Sequence, residues 1–278
     1  MDFLIKLIEL GNLSMSRPTN YGWFHLMFVG IVIVASVLMC VFFRNVSERG
    51  VRIICLVFWI TIAVLEVYKQ LNYTYTVVDG KIVADYLWYA FPFQLCSTPL
   101  YILPLVVFLP DGRLHDAMVA YMIAFSIFGG LCVYAFPNDV FTSTIGINIQ
   151  TMIHHGIQIV SGVYLASRYR SKLNIKYYLK GAAVFVVMLG VAFLLNLTVP
   201  SALAAAGHTD EFNMFYIGPK YPCSLPILST IYPKVPYPAF FAIYAFGFIA
   251  AAAIIFYAAK GIVILAHGLR MRLSKNAA

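Results

Sequence analysis

The sequence predicts an all-α membrane protein, a seven-helix transmembrane bundle with a short N-terminal interfacial helix. Of the 278 residues, 62% are hydrophobic and 11% are charged, whereas a typical soluble domain has about 25% charged residues. A helix needs about 20 mostly apolar residues to cross a bilayer. Seven such runs are present, at residues 23–44, 51–69, 91–110, 115–136, 148–167, 181–205 and 237–259.

The distribution of Lys and Arg predicts the orientation of this bundle. If the N-terminus lies outside, 13 of the 19 Lys and Arg residues fall in segments on the inner side. Because basic residues are enriched in cytoplasmic loops, we expect an N-out, C-in protein that crosses the cell membrane several times. The formal net charge of +8 then reflects topology, and no nucleic-acid partner is expected.

Three segments are expected along the chain. Residues 1–22 form an interfacial N-terminal segment, because Asp2, Lys6 and Glu9 share one face of a short helix that ends at Gly11. Residues 23–267 are expected to form a single seven-span membrane domain. Residues 268–278 are expected to form a cytoplasmic basic tail.

The second span carries a carboxylate, Glu66, about one turn before Lys69. Two interpretations stay open. Glu66 is either an interfacial side chain that reaches toward water beside Lys69, or a buried carboxylate that orients a histidine or binds a polar head group.

The third span begins at the stretch from Pro92 to Pro99, which contains an amide, a thiol and two hydroxyls. Pro92 suits the first turn of a helix, where its missing N–H is unpaired anyway. Pro99 and Pro104 then fall inside the helix and predict a kink with free carbonyl groups. Free backbone groups persist in a membrane only against protein or a wet cavity.

The fifth span places Gln150, His154 and Gln158 on one helical face. His155 points about 100° away from His154, so at most one of the two histidines is expected at the centre of a site. The alternative is that each histidine is a satisfied interhelical hydrogen-bonding group. The fourth span, with Gly129 and Gly130, is expected to be scaffold.

The polar side chains of four spans fall at one depth, in the outer half of the membrane. They are Glu66, Gln94, Cys96, His154, His155 and Asn196. Intramembrane polar groups that converge from several helices predict a functional cavity. The long loop at residues 206–236 is expected to cover it as a lid or a re-entrant cap.

Three short motifs resemble a known family. Pro92-Phe-Gln-Leu-Cys96 is similar to the Pro-x-His-x-Cys signature of the YwaF-type bacterial integral membrane family. Ile153-His154-His155 and Asn213-Met214-Phe215-Tyr216 are similar to two further patches of that family.

The YwaF-type family is distantly similar to the transmembrane-protein-164 group, whose members are described as acyltransferases that act on ether phospholipids through a cysteine thiol. In that group the motif reads Pro-Cys-His. Aligning its proline with Pro92 puts Phe93 at the position of the reactive cysteine and Gln94 at the position of the histidine. Cys96 lies three residues after Phe93, and a thiol mechanism would need a base close to it.

Three functions remain open: a lipid acyltransferase or hydrolase, a transporter or binding protein for a small polar solute or lipid head group, and a membrane domain without chemistry that acts in envelope assembly. For the enzyme, Cys96 is the candidate nucleophile, His154 or His155 the base, and Glu66 the group that orients it. Gln94 or Asn196 would stabilise an oxyanion. The candidate substrate-binding residues are Gln94, Gln158, Asn196 and Asn213.

The expected partners are membrane lipid and a small-molecule or lipid substrate. The sequence contains no nucleotide-binding loop, haem-ligand pattern or metal-ligand spacing, so neither a cofactor nor a metal is expected.

Overall fold

A computed structural model describes residues 2–276, with side chains for residues 2–268. The side chains of the predicted basic tail therefore lie outside the described residues. Most of the described chain is helical, which confirms the predicted all-α class. Its helices are α1 (Asp2–Gly11), α2 (Trp23–Phe42), α3 (Glu48–Asn72), α4 (Pro99–Phe108), α5 (Arg113–Tyr121), α6 (Ile127–Ala135), α7 (Ile145–Arg168), α8 (Ile175–Ala205), α9 (Leu228–Ile231) and α10 (Tyr237–Asn276).

Five of the predicted spans correspond to helices that are long and apolar enough to cross a membrane. These are α2, α3, α8, the segment Tyr237–Gly268 of α10, and a continuous rod, Arg113–Ala135, in which a π-helical turn joins α5 to α6. The other two predicted spans do not meet this description. The helix at the third span is too short, and α7, with 24 residues, is long enough but too polar.

The third predicted span begins later than expected. The helix starts at Pro99 and not at Pro92, and the residues before it form short 3-10 turns at Trp88–Ala90 and Leu95–Ser97. A helix from Pro92 would place Pro99 in its interior, where the ring clashes with the carbonyl four residues earlier. Pro104 does lie inside α4 and frees the Leu100 carbonyl, which accepts a hydrogen bond from Trp59 Nε1 at 3.0 Å.

The centre of the bundle is α7, of which 16 of the 24 residues are buried. Helices α2, α3 and α6 pack around it. The approach of α6 is close, because a Cβ added at Gly130 would lie 2.8 Å from the His155 carbonyl oxygen. Gly130 thus allows close contact between α6 and α7.

The two ends of the bundle differ in their charged residues. We call one of them the basic end, where salt bridges join Arg52 to Asp111, Arg168 to Glu48, and both Lys172 and Lys180 to Asp116. The opposite end carries the turn around Cys96, and we call it the site end.

Two small elements cover part of the site end. In α1 no residue is buried, and its last residue, Gly11, accepts a hydrogen bond from Tyr68 Oη at 2.7 Å. Strands β1 (Tyr75–Val78) and β2 (Lys81–Ala84) form a hairpin. Its two-residue turn holds Asp79 and Gly80 at positive φ, as a primed hairpin turn requires.

Candidate functional site

The turn that carries Cys96 is held by two side chains of α7. The carbonyl oxygen of Cys96 lies 2.9 Å from His154 Nε2 and 2.8 Å from Gln158 Nε2. This carbonyl is free to accept both bonds because Cys96 lies before Thr98, the N-cap of α4, and so outside the hydrogen-bonding pattern of that helix. Since a carbonyl oxygen only accepts, the hydrogen of a neutral His154 ring lies on Nε2, and Nδ1 presents a lone pair.

The Cys96 side chain borders a cavity of about 430 Å³. The wall of the cavity is mainly aliphatic and aromatic, and it is formed by α6, the N-terminal half of α10 and the segment from Phe215 to Leu228. Gln94 and a second thiol, Cys132, also line it. The cavity thus brings a partly buried thiol next to a volume that suits apolar groups.

Two amide side chains hold the loop that closes this cavity. Gln94 donates to the Asn213 carbonyl at 3.0 Å and accepts from the Phe215 N–H at 2.7 Å. Asn196 of α8 donates to the Met214 carbonyl at 2.8 Å and accepts from the Met214 N–H at 2.7 Å. Each amide therefore uses both its donor and its acceptor on the same short piece of backbone.

The same loop is strained. Phe215 and Tyr216 both have φ of 56°, a left-handed conformation that is costly for residues with a side chain. Asn213 supports it from inside, because its Oδ1 accepts from the Gly218 N–H at 2.7 Å. Such strain persists only where surrounding contacts determine the conformation, and here the contacts come from Gln94, Asn196 and Asn213.

Glu66 is buried, as one interpretation of the sequence expected, and it is paired with Lys69, as the other expected. Its Oε1 accepts from Lys69 Nζ at 2.9 Å and from Gln70 Nε2 at 2.6 Å. Within the described part of the chain, no hydrogen bond joins Glu66 to either histidine. In the loop above, burial raises the pKa of Tyr86 to about 12, which keeps its hydroxyl as a donor to Gln70 Oε1 at 2.7 Å.

The two histidines make different contacts. His154 reaches across to the Cys96 turn, whereas Nδ1 of His155 bonds the Thr151 carbonyl of its own helix at 2.7 Å. The predicted divergence of the two rings is therefore present, and His154 is the one directed at Cys96.

Several buried acceptor atoms at the site end lack a partner among the described residues. They are Glu66 Oε2, His154 Nδ1, His155 Nε2 and Gln158 Oε1. Buried polar atoms are nearly always hydrogen-bonded in folded proteins. Atoms of this kind can accept hydrogen bonds from the N–H or O–H groups of a ligand or of water.

The structure brings together some of the predicted residues and separates others. Cys96, His154 and Gln158 are in direct contact, and Gln94 joins Cys96 on the cavity wall. Asn196 and Asn213 act on the loop, and Glu66 is held in a separate ion pair. No three His, Cys, Asp or Glu side chains in the described ranges are arranged to hold a metal.

Sequence reasoning missed two contacts at the site. Gln70 joins Glu66 to the loop above, although its spacing of four residues from Glu66 is the usual signal for a helical side-chain pair. The buried hydroxyls of Thr98 and Tyr121 lie 2.6 Å apart and tie the Cys96 turn to α5. This second contact joins distant parts of the chain and has no local sequence signal.

Comparison with known proteins gives a family and no closer relative. No curated protein and no solved structure matches the chain. The assignment to the YwaF-type family stays a prediction. The sequence model of the TMEM164 family matches residues 16–260, most of the chain. The resemblance to the transmembrane-protein-164 group is thereby confirmed, and the chain belongs to the TMEM164 family.

Proposed function

We propose that this membrane protein is a lipid acyltransferase or hydrolase that uses the Cys96 thiol as its nucleophile. The observation that carries the proposal is the position of Cys96 on the wall of an apolar cavity, on a turn that His154 holds. An apolar cavity beside a thiol suits an acyl chain whose ester carbonyl lies at the sulfur. Membership of the TMEM164 family, whose resemblance implies thiol acyltransferase chemistry, supports the reaction class. Because Phe93 and Gln94 stand where that group has its cysteine and histidine, the choice of Cys96 rests on the cavity and not on the family.

The reaction has two steps in this proposal. Nδ1 of His154, which carries the lone pair, accepts the thiol proton. The sulfur attacks the ester carbonyl of a phospholipid, and a thioester forms as the ester C–O bond breaks. The proton passes to the leaving alcohol, which departs as a lysolipid. A hydroxyl of a second lipid, or water in the hydrolase, then gives its proton to His154 and attacks the thioester. The new C–O bond forms as the C–S bond breaks, so the acyl chain leaves as an ester or a free acid, and His154 returns the proton to the sulfur.

The other site residues position these groups. Gln158 holds the turn through the Cys96 carbonyl, and its buried Oε1 has no partner among the described residues. Gln94, Asn196 and Asn213 hold the loop that borders the cavity. Glu66 contributes negative charge near the base, and Lys69 offsets part of it.

We propose that the bundle crosses the cell membrane seven times, N-out and C-in, as a single membrane domain. Helix α4 with its preceding turn, and the polar α7, would be the two spans that composition alone does not reveal. Both contact other helices, which would shield their polar groups from lipid. In intact cells, cysteines engineered into residues 168–180 should resist an impermeant maleimide. Labelling of these cysteines without permeabilisation would show that the orientation is the opposite of the one proposed.

A second function is favoured by the unpartnered acceptors of Glu66, His154, His155 and Gln158. A transporter or binding protein for a small solute or head group with several N–H or O–H donors would satisfy them. Solute binding that Glu66→Gln or His155→Ala abolishes, in a protein that never turns over lipid, would favour this function over the enzyme.

The enzyme is tested by comparing two thiols of one cavity. Cys96 and Cys132 both line it and are both partly buried. The wild type, reconstituted in nanodiscs with a phospholipid whose acyl chain is labelled and a lysolipid acceptor, should transfer label to the acceptor. Intact-protein mass spectrometry should detect a hydroxylamine-sensitive acyl adduct. Cys96→Ser should lose both signals, and Cys132→Ser should keep both.

Full turnover by Cys96→Ser would overturn the thiol mechanism. An adduct that disappears in Cys132→Ser and persists in Cys96→Ser would move the nucleophile to the other thiol. Label that appears as free fatty acid, with none in the lysolipid, would assign the hydrolase over the acyltransferase.

A further inference from the structure

A second and larger cavity lies away from Cys96, along the side of the bundle. Its volume is about 1110 Å³, and it runs between α2 and the C-terminal part of α10, with α7 at its floor. Its apolar wall includes side chains such as Val37 and Ile262, which are 55% and 66% exposed. A wall of exposed aliphatic side chains on membrane helices faces the space that lipid chains fill, so the groove is open to the bilayer.

The groove ends in polar groups at the basic end. Arg44 and Arg170 lie on its wall together with Asn45 and Ser167. Arg170 Nη1 donates to the Ser167 carbonyl at 3.5 Å. In the described part of the chain neither Arg44 nor Arg170 forms a salt bridge, although nearby cations of this end are paired with carboxylates. Two guanidinium groups that lack carboxylate partners are therefore available to an external anion.

The length of the groove fits one leaflet. Val29 and Val41 both line it along α2, and twelve residues of helix rise about 18 Å. The hydrocarbon core of a bilayer is about 30 Å thick, so one leaflet is about 15 Å. The acyl chain of a lipid whose phosphate lies at the arginines would therefore be covered by the groove for most of the length of the chain.

We propose that this groove binds an anionic glycerophospholipid, with its phosphate at Arg44 and Arg170 and one acyl chain between α2 and α10. Basic pockets between transmembrane helices are a recurring way to bind anionic head groups. The combination of an apolar groove with two unpaired arginines at one end selects a lipid over a soluble anion. This site is separate from the Cys96 cavity and does not rest on the proposed chemistry there.

The test measures binding of two lipids with identical acyl chains, phosphatidylglycerol and phosphatidylcholine, by native mass spectrometry of the purified protein. The wild type should prefer phosphatidylglycerol. The double variant Arg44→Gln, Arg170→Gln should lower phosphatidylglycerol binding by about tenfold or more, since basic side chains near the lipid surface attract anionic head groups. It should lower phosphatidylcholine binding less, because the choline cation offsets the charge of the same phosphate. Inorganic phosphate should not displace the lipid.

Two controls separate the groove from general basicity and from misfolding. The variant Arg113→Gln, Lys176→Gln removes two exposed cations that lie outside the groove, and it should bind as the wild type does. Val37→Trp fills the groove and should weaken both lipids. Val34→Trp changes an equally exposed residue of α2 outside the groove and should weaken neither.

The proposal is overturned if the Arg113 and Lys176 variant loses as much phosphatidylglycerol binding as the Arg44 and Arg170 variant. General positive charge would then explain the preference for phosphatidylglycerol. It is also overturned if Val37→Trp and Val34→Trp behave alike, or if inorganic phosphate displaces the lipid. A preserved thermal unfolding profile in each variant shows that lost binding does not come from lost fold.

Discussion

The two ends of the bundle are held together by different polar contacts. At the basic end, charged side chains pair with one another, as Asp116 does with Lys172 and Lys180. At the site end, beside the ion pair of Glu66 with Lys69, neutral amides and an imidazole bond to the backbone of irregular segments, as Asn196 does with Met214. Charged pairs suit a surface that water reaches, whereas neutral groups can satisfy backbone in an apolar bundle at lower cost.

The difference also separates scaffold from site. The ion pairs of the basic end join regular helices and their short connections, whereas the bonds of the site end hold a turn and a strained loop against a cavity. The unpartnered acceptors of Glu66, His154, His155 and Gln158 lie at the site end. Unpartnered buried atoms also occur at the basic end, at Arg168 Nε and Tyr177 Oη. The four acceptors at the site end could take hydrogen bonds from the N–H or O–H groups of a bound ligand or of water.

The largest expected effect compares the two neighbouring histidines of the site end. His154→Ala should lower acyl transfer by at least about 100-fold, the usual contribution of a general base, because His154 contacts the Cys96 turn. His155→Ala should cost less than about tenfold, because its ring bonds its own helix. Turnover in nanodiscs checks both. A larger loss in His155→Ala would transfer the role of base to that residue.

The next effect concerns the loop at the site end. Asn196→Ala should lower the stability by about 2–4 kcal/mol, because the N–H and C=O of Met214 would both lose their partner in a buried place. The apparent Tm is measured with a dye that reacts with buried thiols as they become accessible on unfolding. Thr198→Ala, in the same helix, is the control, since its hydroxyl is exposed and bonds only its own helix. Equal losses of stability in the two variants would show that the two hydrogen bonds between Asn196 and Met214 contribute little.

Part of this fold follows from local sequence. Of the seven spans that the apolar runs predicted, five correspond to helices long and apolar enough to cross a membrane. The shared depth of Cys96 and His154 predicted that they would lie near each other, and the His154 ring does contact the Cys96 carbonyl. The hairpin was missed although Asp79-Gly80 is a strong local signal for it. The start of α4 was misplaced because Pro92 and Pro99 each suit the first turn of a helix. A helix that began at Pro92 would hold Pro99 in its interior, which is unfavourable, so the helix begins at Pro99.

The roles of the amides did not follow from local sequence. Gln94 and Asn196 looked like substrate ligands because intramembrane amides are costly. In the structure both bond the loop at residues 213–215, which lies 119 to 121 residues from Gln94. A pairing at that separation is set by how the helices pack, and no periodicity or motif encodes it. Whether the same amides also touch a substrate stays a prediction.

Between α5 and α8, close backbone packing is expected to matter more than the charged pairs of the basic end. A Cβ at Gly181 of α8 would lie 2.7 Å from the Ala120 carbonyl carbon and 2.8 Å from the Tyr121 nitrogen. Backbone atoms cannot move aside as a side chain can, so Gly181→Ala should cost about 1–3 kcal/mol. Gly190→Ala, in the same helix, meets nothing within 4 Å and should cost nothing. An unchanged Tm in Gly181→Ala would show that α5 and α8 can separate easily.

The smallest expected effect is the loss of an ion pair at the basic end. Asp116→Asn weakens contacts of 2.9 and 2.8 Å to Lys172 and Lys180. The lysine side chains are 47% and 33% exposed, so the cost should be at most about 1 kcal/mol, and it should shrink as salt is raised. The Tm of Asp116→Asn at low and high salt checks both statements.

The control is Asp111→Asn, because the carboxylate of Asp111 is 70% exposed beside Arg52. This variant should cost less stability than Asp116→Asn. If Asp116→Asn instead lowers the Tm more than Asn196→Ala does, and salt leaves that loss unchanged, then the charged contacts of the basic end stabilise this bundle more than the neutral clamps of the site end, and the contrast drawn between the two ends is wrong.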